Sequence, residues 1–471
     1  MNLSYCYLVL LFPLVKPRGT DAKWVEQSFE WGVSNSVEHG TEALSGVICT
    51  TCSCEDNRVD CTKKDIRTFF SVDKWKELTN LKPTTVDLSG NNIDCITEIA
   101  DLPIEELNLS NNKIKNIENA SFRGLQKMRV LNLSYNRLTS RLSPHAFEGK
   151  FSAERYESLS SMRTLNLSYN QLHSLHQDLF EHLPELNSLD LSGNPLTTID
   201  YVTLMAISSL PMLEDLRLRS CQLTEIPDRF LHTPRYLEYL DLSDNQLAMV
   251  PQELEEARNL VYLNLNQNPI VELDMGKWET LGFPMIRKLQ ELHMSSMPEL
   301  HRIGTAALAR LPMLSKLHLS FNPKLAVIEP LALASPGDHR ESYVWPMIKE
   351  LYLQSNNLTE LHSRLLRWEL VEKLDVSDNP WLCDCSTKWM VDDLVTYVKR
   401  SGTNAAEKLV CQEPIEMRGL TMKQLHDENS LLRCGDKAVS EPVLRSMATG
   451  LRGMVIHFLT HLLVKLLSHI M

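Results

Sequence analysis

The sequence predicts an α/β solenoid: short stacked repeats, curved so that a parallel β-sheet lines the concave face, with a disulfide-bonded cap at each end. Two observations predict it. One string, LxLxxNxL, recurs twelve times between residues 78 and 382, most often at a spacing of 24. Two groups of four cysteines bracket that stretch, Cys49, Cys52, Cys54 and Cys61 before it and Cys383, Cys385, Cys411 and Cys434 after it. A chain of 471 residues is longer than one ordinary compact core, which holds ~100–200. An array has no such limit, because each unit packs only on its neighbours.

In chain order, residues 1–22 read as a secretory signal: Tyr5 to Val15 is almost wholly apolar, and Thr20 and Ala22 are the small residues before a cut. Residues 23–48 are a linker and 49–77 an N-terminal cysteine cap. Residues 78–382 hold the repeats, 383–434 a C-terminal cysteine cap and 435–453 a spacer, and 454–471 form a hydrophobic, amphipathic tail. A formal charge of -12 excludes a general nucleic-acid binder, which needs a basic footprint.

The repeat explains itself physically. LxL is a short strand whose two leucines point inward and whose middle residue points out. One unit cannot bury its own leucines; stacked units form a parallel sheet over a continuous leucine core. The Asn amide both donates and accepts, so it can satisfy backbone groups where the chain leaves the strand. It stands at Asn91, Asn112, Asn136, Asn170, Asn194, Asn245, Asn268, Asn322, Asn356 and Asn379, with Cys221 and Met297 in its place twice. Met297 cannot donate, so a break in the Asn ladder is expected there. Apolar pairs such as Phe122 with Leu125 and Phe180 with Leu183 are expected to pack from the convex side. Two intervals stretch to 34 residues, with insertions near 141–161 and 326–345. These should emerge as loops, which serve as binding elements or as plain decoration.

Twelve strings in register resemble the extracellular leucine-rich-repeat superfamily, in the style of chaoptin, connectin, Slit and Toll ectodomains, over about two-thirds of the chain. That resemblance implies a leucine-rich-repeat horseshoe. Cys49-x2-Cys52-x-Cys54-x6-Cys61, with Val59, Phe69 and Phe70, is similar to the family's N-terminal cap, with Thr50 in place of its usual proline. Asn379-Pro380-Trp381-Leu382-Cys383-Asp384-Cys385, with Trp389, Cys411 and Cys434, is similar to its C-terminal cap. By that resemblance the bonds are Cys49–Cys54, Cys52–Cys61, Cys383–Cys411 and Cys385–Cys434, confined to the caps; spacing alone leaves three pairings open in each group. Four cysteines could also hold zinc, but CxC spacings in an exported chain favour disulfides. Cys95 and Cys221 lie five strand spacings apart, ~24 Å, too far to bond to each other; Cys221 reads as a buried thiol and Cys95 as partly exposed.

The resemblance implies an extracellular or cell-surface module that recognises a protein ligand, as a receptor or adhesion protein. The alternative is a soluble matrix or carrier protein with a structural or ligand-sequestering role. No nucleophile elbow, phosphate loop or HExxH string is present, so neither an enzyme nor a cofactor is expected. His293 and His318 occupy the same outward position on adjacent strands, which suggests a metal, but two imidazoles without a third close ligand read as an exposed pair.

Aromatic and Arg side chains most often anchor interfaces. The expected ligand-binding residues on the concave face are therefore Arg217, Arg219, Tyr239, Asp241, Tyr262, His293, His318 and Tyr352. Alternation of Asp190, Arg217 and Asp241 could instead be mutual neutralisation across the sheet. Glycosylation sequons stand at Asn108, Asn119, Asn132, Asn166 and Asn357; the first, third and fourth of these lie on successive early strands. The tail has three readings: a signal for a glycolipid anchor, a helix on the membrane surface, or a helix packed against the cap.

Overall fold

The computed structural model describes residues 48–428 and 432, apart from 153, 276–281, 338, 340, 341 and 403. The signal, the linker, the spacer, the tail and Cys434 lie outside the described residues. Fourteen strands form one sheet in strict chain order. The N-terminal cap supplies the first two, Ser53–Glu55 and Arg58–Asp60, which form a hairpin. Every later neighbour is parallel: Thr85–Asp87, Glu106–Asn108, Val130–Asn132, Thr164–Asn166, Ser188–Asp190, Asp215–Arg217, Tyr239–Asp241, Tyr262–Asn264, Glu291–His293, Lys316–His318, Glu350–Tyr352 and Lys373–Asp375.

Each strand is three residues long; in all but the first, where Cys54 is half-buried, the middle residue is buried, and it aligns with the middle residue next door, as in Leu165 with Leu189 and Leu240 with Leu263. The leucine two residues later is buried as well, so the repeat puts a double file of leucines behind the sheet. Phe122, Phe147, Phe180 and Phe230 fill the convex side of the same core, with Phe122 stacked on Phe147 at 6.0 Å. One contiguous apolar core runs from Ile48 to Leu425. The cap strand Arg58–Asp60 joins it directly: Val59 pairs with Val86, and the cap covers the open edge of the sheet by extending it.

The Asn ladder holds the exit from each strand. Asn245 shows the pattern: its Nδ2 donates to the carbonyls of Leu242 at 2.9 Å and of Leu218, one repeat back, at 2.8 Å, while its Oδ1 accepts from the N–H of Leu223 at 3.0 Å. The side chain thus stitches two repeats together with groups that the three-residue strands leave unpaired. The ladder breaks at Met297, whose own N–H is held by Asn322 Oδ1 at 2.7 Å. Cys221 stands in weakly: its Sγ lies 3.4 Å from the Leu191 carbonyl. The residue before each ladder position takes a positive φ in all twelve repeats, from Gly90 at 70° through Tyr135, Tyr169 and Phe321 to Asp378 at 55°. Nothing in the repeat string announces this, since Gly fills the place only at Gly90 and Gly193.

The convex side carries short two-residue strands, turns and one eight-residue helix, Tyr201–Ser208, whose N-cap Asp200 accepts from Thr203 N–H at 2.8 Å. Both insertions fold into small antiparallel hairpins, Phe151–Ser152 with Arg155–Tyr156 and Ser335–Pro336 with Tyr343–Val344. The C-terminal cap covers the last leucines with Met390–Leu394, Val395–Arg400 and Met422–Glu428, and with Trp381, which is fully buried. No helix among the described residues is long and apolar enough to cross a membrane.

The structure contains the bonds Cys49–Cys54, Cys52–Cys61 and Cys383–Cys411. Cys385 is disulfide-bonded too. Cys95 corrects the sequence reading: it is buried, at 8% exposure, and disulfide-bonded. It opens the two-residue strand Cys95–Ile96, whose residues are both buried beside the N-terminal end of the array, so the disulfides are not confined to the caps. Cys221 is a buried free thiol, pushed up to about 12 by burial.

Candidate ligand-binding face

A three-residue strand with its middle residue inward presents its first and third residues to the concave side. At the third position the repeat usually carries Asp or Asn, and its side-chain oxygen accepts from the N–H two residues on. This occurs at Asp87, Asn108, Asn132, Asn166, Asp190, Asp241, Asn264 and Asp375, at 2.8–3.1 Å. It is an Asx turn, a local cap on the strand end. Four strands depart from it: Arg217, His293, His318 and Tyr352 stand at that position with their side chains turned elsewhere. All four lie within one stretch of the array, and their side chains are released from the scaffold.

Those four combine with two first-position tyrosines into one continuous stack. The Arg217 guanidinium lies over the Tyr239 ring at 5.2 Å. Tyr239 stacks on Tyr262 at 4.2 Å and 5°. Tyr262 leans on His293 at 5.0 Å, His293 stacks on His318 at 4.0 Å and 7°, and His318 stacks on Tyr352 at 4.6 Å. Six neighbouring strands therefore carry one row of planar groups, about 24 Å long at the usual strand spacing.

Carboxylates at first positions hold the row in place from two residues away, on the same face of the same strand. Asp215 binds Arg217 through two bonds, at 3.1 and 2.9 Å. Glu291 accepts from His293 Nε2 at 2.8 Å, and Glu350 accepts from the Tyr352 hydroxyl at 3.0 Å. Lysines from the next strands close the pattern: Lys316 on Glu291 and Lys373 on Glu350, each at 3.1 Å. Burial alone would raise the Glu291 carboxyl, but the bonds from His293 and Lys316 hold it below the usual range. Burial, helped by His293, lowers His318 to about 4, so that imidazole is neutral near pH 7. Burial and then Glu350 push the Tyr352 hydroxyl up to about 12. Burial, with the hydroxyl bond to Tyr239, raises Tyr262 as well.

Of the expected ligand-binding residues, the structure brings Arg217, Tyr239, Tyr262, His293, His318 and Tyr352 into the stack. Arg219 is exposed and stands outside it. Asp241 is buried, and its carboxylate caps Ser243. Arg217 bonds to Asp215 on its own strand, while its cross-strand neighbours Asp190 and Asp241 turn to Ser192 and Ser243; the Asp190 charge still acts on the guanidinium from the adjacent strand. The expectation that the histidine pair has no third ligand is also corrected. Among the described residues, Glu291, His293 and His318 are the one group of three whose ligand atoms converge, all within 4.8 Å of one another. The signal was present in the sequence, since Glu291 precedes His293 by two and so shares its face.

The sequons divide by geometry. Asn119 and Asn357 are exposed, whereas Asn108, Asn132 and Asn166 are half-buried with their amide oxygens engaged. Exposed aromatics also stand on the first insertion, where Phe151 and Tyr156 meet edge-to-face at 5.1 Å.

A leucine-rich-repeat family profile matches residues 103–150, 160–214 and 211–270. The chain is 28% identical to Tsukushi of Gallus gallus over 244 residues, 51% of this chain and 61% of that one. It is 29% identical to trophoblast glycoprotein of Macaca fascicularis over 264 residues, 51% of this chain and 59% of that one. It thus spans less than two-thirds of the length of these curated relatives. A solved structure of the Toll–Spatzle complex of Drosophila aligns with a TM-score of 0.42 at 21% identity, over 74% of this chain and 58% of that one. The parallel ladder with its stitched asparagines has the architecture of the leucine-rich repeats that the profile matches over residues 103–270.

Proposed function

We propose that the chain is a protein-recognition module outside the cell, of receptor or adhesion type, which grips a protein ligand on its concave face along the row from Arg217 to Tyr352. The observation that carries this reading is the stack itself. Four of the six strands that carry it give up the Asx bond that stabilises eight others, and the side chains gained are Arg, His and Tyr, aligned in one row. Flat, pre-ordered aromatic surface flanked by fixed charges loses little side-chain freedom on binding, which is why such residues anchor interfaces. The buried disulfides support an oxidising compartment. A smooth sheet face without a deep cleft suits a macromolecule better than a small substrate.

The test pairs capture with mutation. Cell-surface proteins retained by the secreted chain are cross-linked to it, and the cross-linked positions are mapped. Affinity is then measured for Tyr239→Ala and Tyr262→Ala, with melting curves showing that both stay folded. Each is expected to lose at least ~2 kcal/mol of binding, about thirtyfold. Unchanged affinity in both variants, with loss when Phe151 and Tyr156 are replaced, would move the site to the first insertion.

The same reading proposes glycans at the exposed Asn119 and Asn357. Mass mapping before and after glycosidase is expected to show both occupied. Bare asparagine at all five sequons would argue against export.

A further inference from the structure

We propose that Glu291, His293 and His318 form a binding site for a divalent first-row transition ion of the zinc class on the concave face. The parallel register builds it. Glu291 and His293 are the first and third residues of one strand and share its outward face, and His318 pairs directly with His293 on the next strand. The two imidazole rings lie 4.0 Å apart and almost parallel. Glu291 Oε1 lies 2.8 Å from His293 Nε2 and 3.8 Å from His318 Nε2. A tetrahedral ion with ligands at ~2.1 Å sets its donor atoms about 3.4 Å apart, between those two distances. Turning the imidazoles out of their parallel stack, so that their in-plane lone pairs converge, brings all three donors onto one ion, and the fourth position faces the open concave side.

The surroundings favour a cation despite Lys316. That ammonium holds the other carboxylate oxygen, Oε2, at 3.1 Å, and leaves Oε1 to the histidines. Such an outer partner orients a ligating carboxylate. The three side chains are sheltered, at 18–25% exposure, with the rings of Tyr262 and Tyr352 on either side of the histidine pair. Two imidazoles and one carboxylate select zinc, copper or nickel over calcium or magnesium, which take oxygen donors. Two of its ligands, His293 and His318, belong to the proposed recognition row, but the test reads the ion alone and so is decided independently of that reading.

Zinc chloride is titrated calorimetrically into the full chain in chelator-free buffer, beside His293→Ala, His318→Phe, Glu291→Gln and the distant His176→Ala. His318→Phe keeps a ring in the stack while removing the donor nitrogen, so it separates lost coordination from lost folding. The wild type and His176→Ala are expected to bind one ion with the same affinity. Each of the other three should bind at least ~10-fold more weakly, since even outer partners of a metal site are worth 10–100-fold. Calcium should give no saturable heat. Absence of saturable zinc binding, or zinc binding left unchanged by both His293→Ala and His318→Phe, would overturn the site.

Discussion

Asn245→Leu is expected to destabilise the array by roughly 3–6 kcal/mol, although leucine suits a buried position in size and polarity. The cost comes from backbone groups left without partners. Asn245 Oδ1 accepts from the N–H groups of Cys221 and Leu223, each at 3.0 Å, and its Nδ2 serves the Leu218 carbonyl at 2.8 Å. All three contacts are buried, and water cannot replace the lost amide. An unsatisfied buried group costs about 1–3 kcal/mol. Asn245 is exposed to the full penalty because its neighbour one repeat back is Cys221, whose thiol turns to the Leu191 and Arg219 carbonyls instead of sharing Leu218. Elsewhere the ladder has redundancy: the Leu242 carbonyl accepts from both Asn245 and Asn268. The measurement is urea unfolding followed by far-ultraviolet circular dichroism, with the exposed Glu225→Ala as control. A solenoid can unfold in parts, so the slope must be compared along with the midpoint. A loss below ~1 kcal/mol would show that the ladder does not carry the strand exits.

Removal of Cys383–Cys411 as a double alanine variant is expected to cost roughly 3.5 kcal/mol, more than removal of either N-terminal bond. The bond closes 28 residues, against 5 for Cys49–Cys54 and 9 for Cys52–Cys61. Chain-entropy estimates for the shorter loops are about 2 and 2.5 kcal/mol. Packing adds to the difference. Strand Trp381–Leu382 pairs with Cys411–Glu413, and this tie holds the buried Trp381 and the cap helices over the last leucines. The Trp389 indole N–H reaches back to the Leu361 carbonyl at 2.8 Å. Without the bond the terminal repeat should fray, expose apolar core and lower secretion. Melting curves and secreted yield for the three double variants give the order; an N-terminal pair more costly than Cys383–Cys411 would contradict it.

The sequence by itself determined the period, the in-register leucine files, the place of the ladder and its break at Met297. These properties are local: a unit of about 24 residues repeats one solution to burying two leucines, and translation along the array makes each copy report the same structure. Cysteine spacing likewise marked both ends. The tertiary structure decided what a one-dimensional template cannot hold. Whether an outward residue is free depends on which backbone group its side chain meets: Asp241 turns inward to Ser243, while His293, with no such bond, turns to Glu291. Cross-strand neighbours come from units 23–34 residues apart; the template aligns Tyr239 with Tyr262 and His318 with Tyr352, but the face-to-face stacking of their rings appears only in the fold. The N-terminal cap joins the sheet because Val59 lands opposite Val86, and Cys95 is buried because its strand pairs with Asn116–Ile117 of the next repeat. Repetition made the scaffold legible; the concave face is written where the repeat departs from itself, and those departures acquire meaning only through neighbours that the fold supplies.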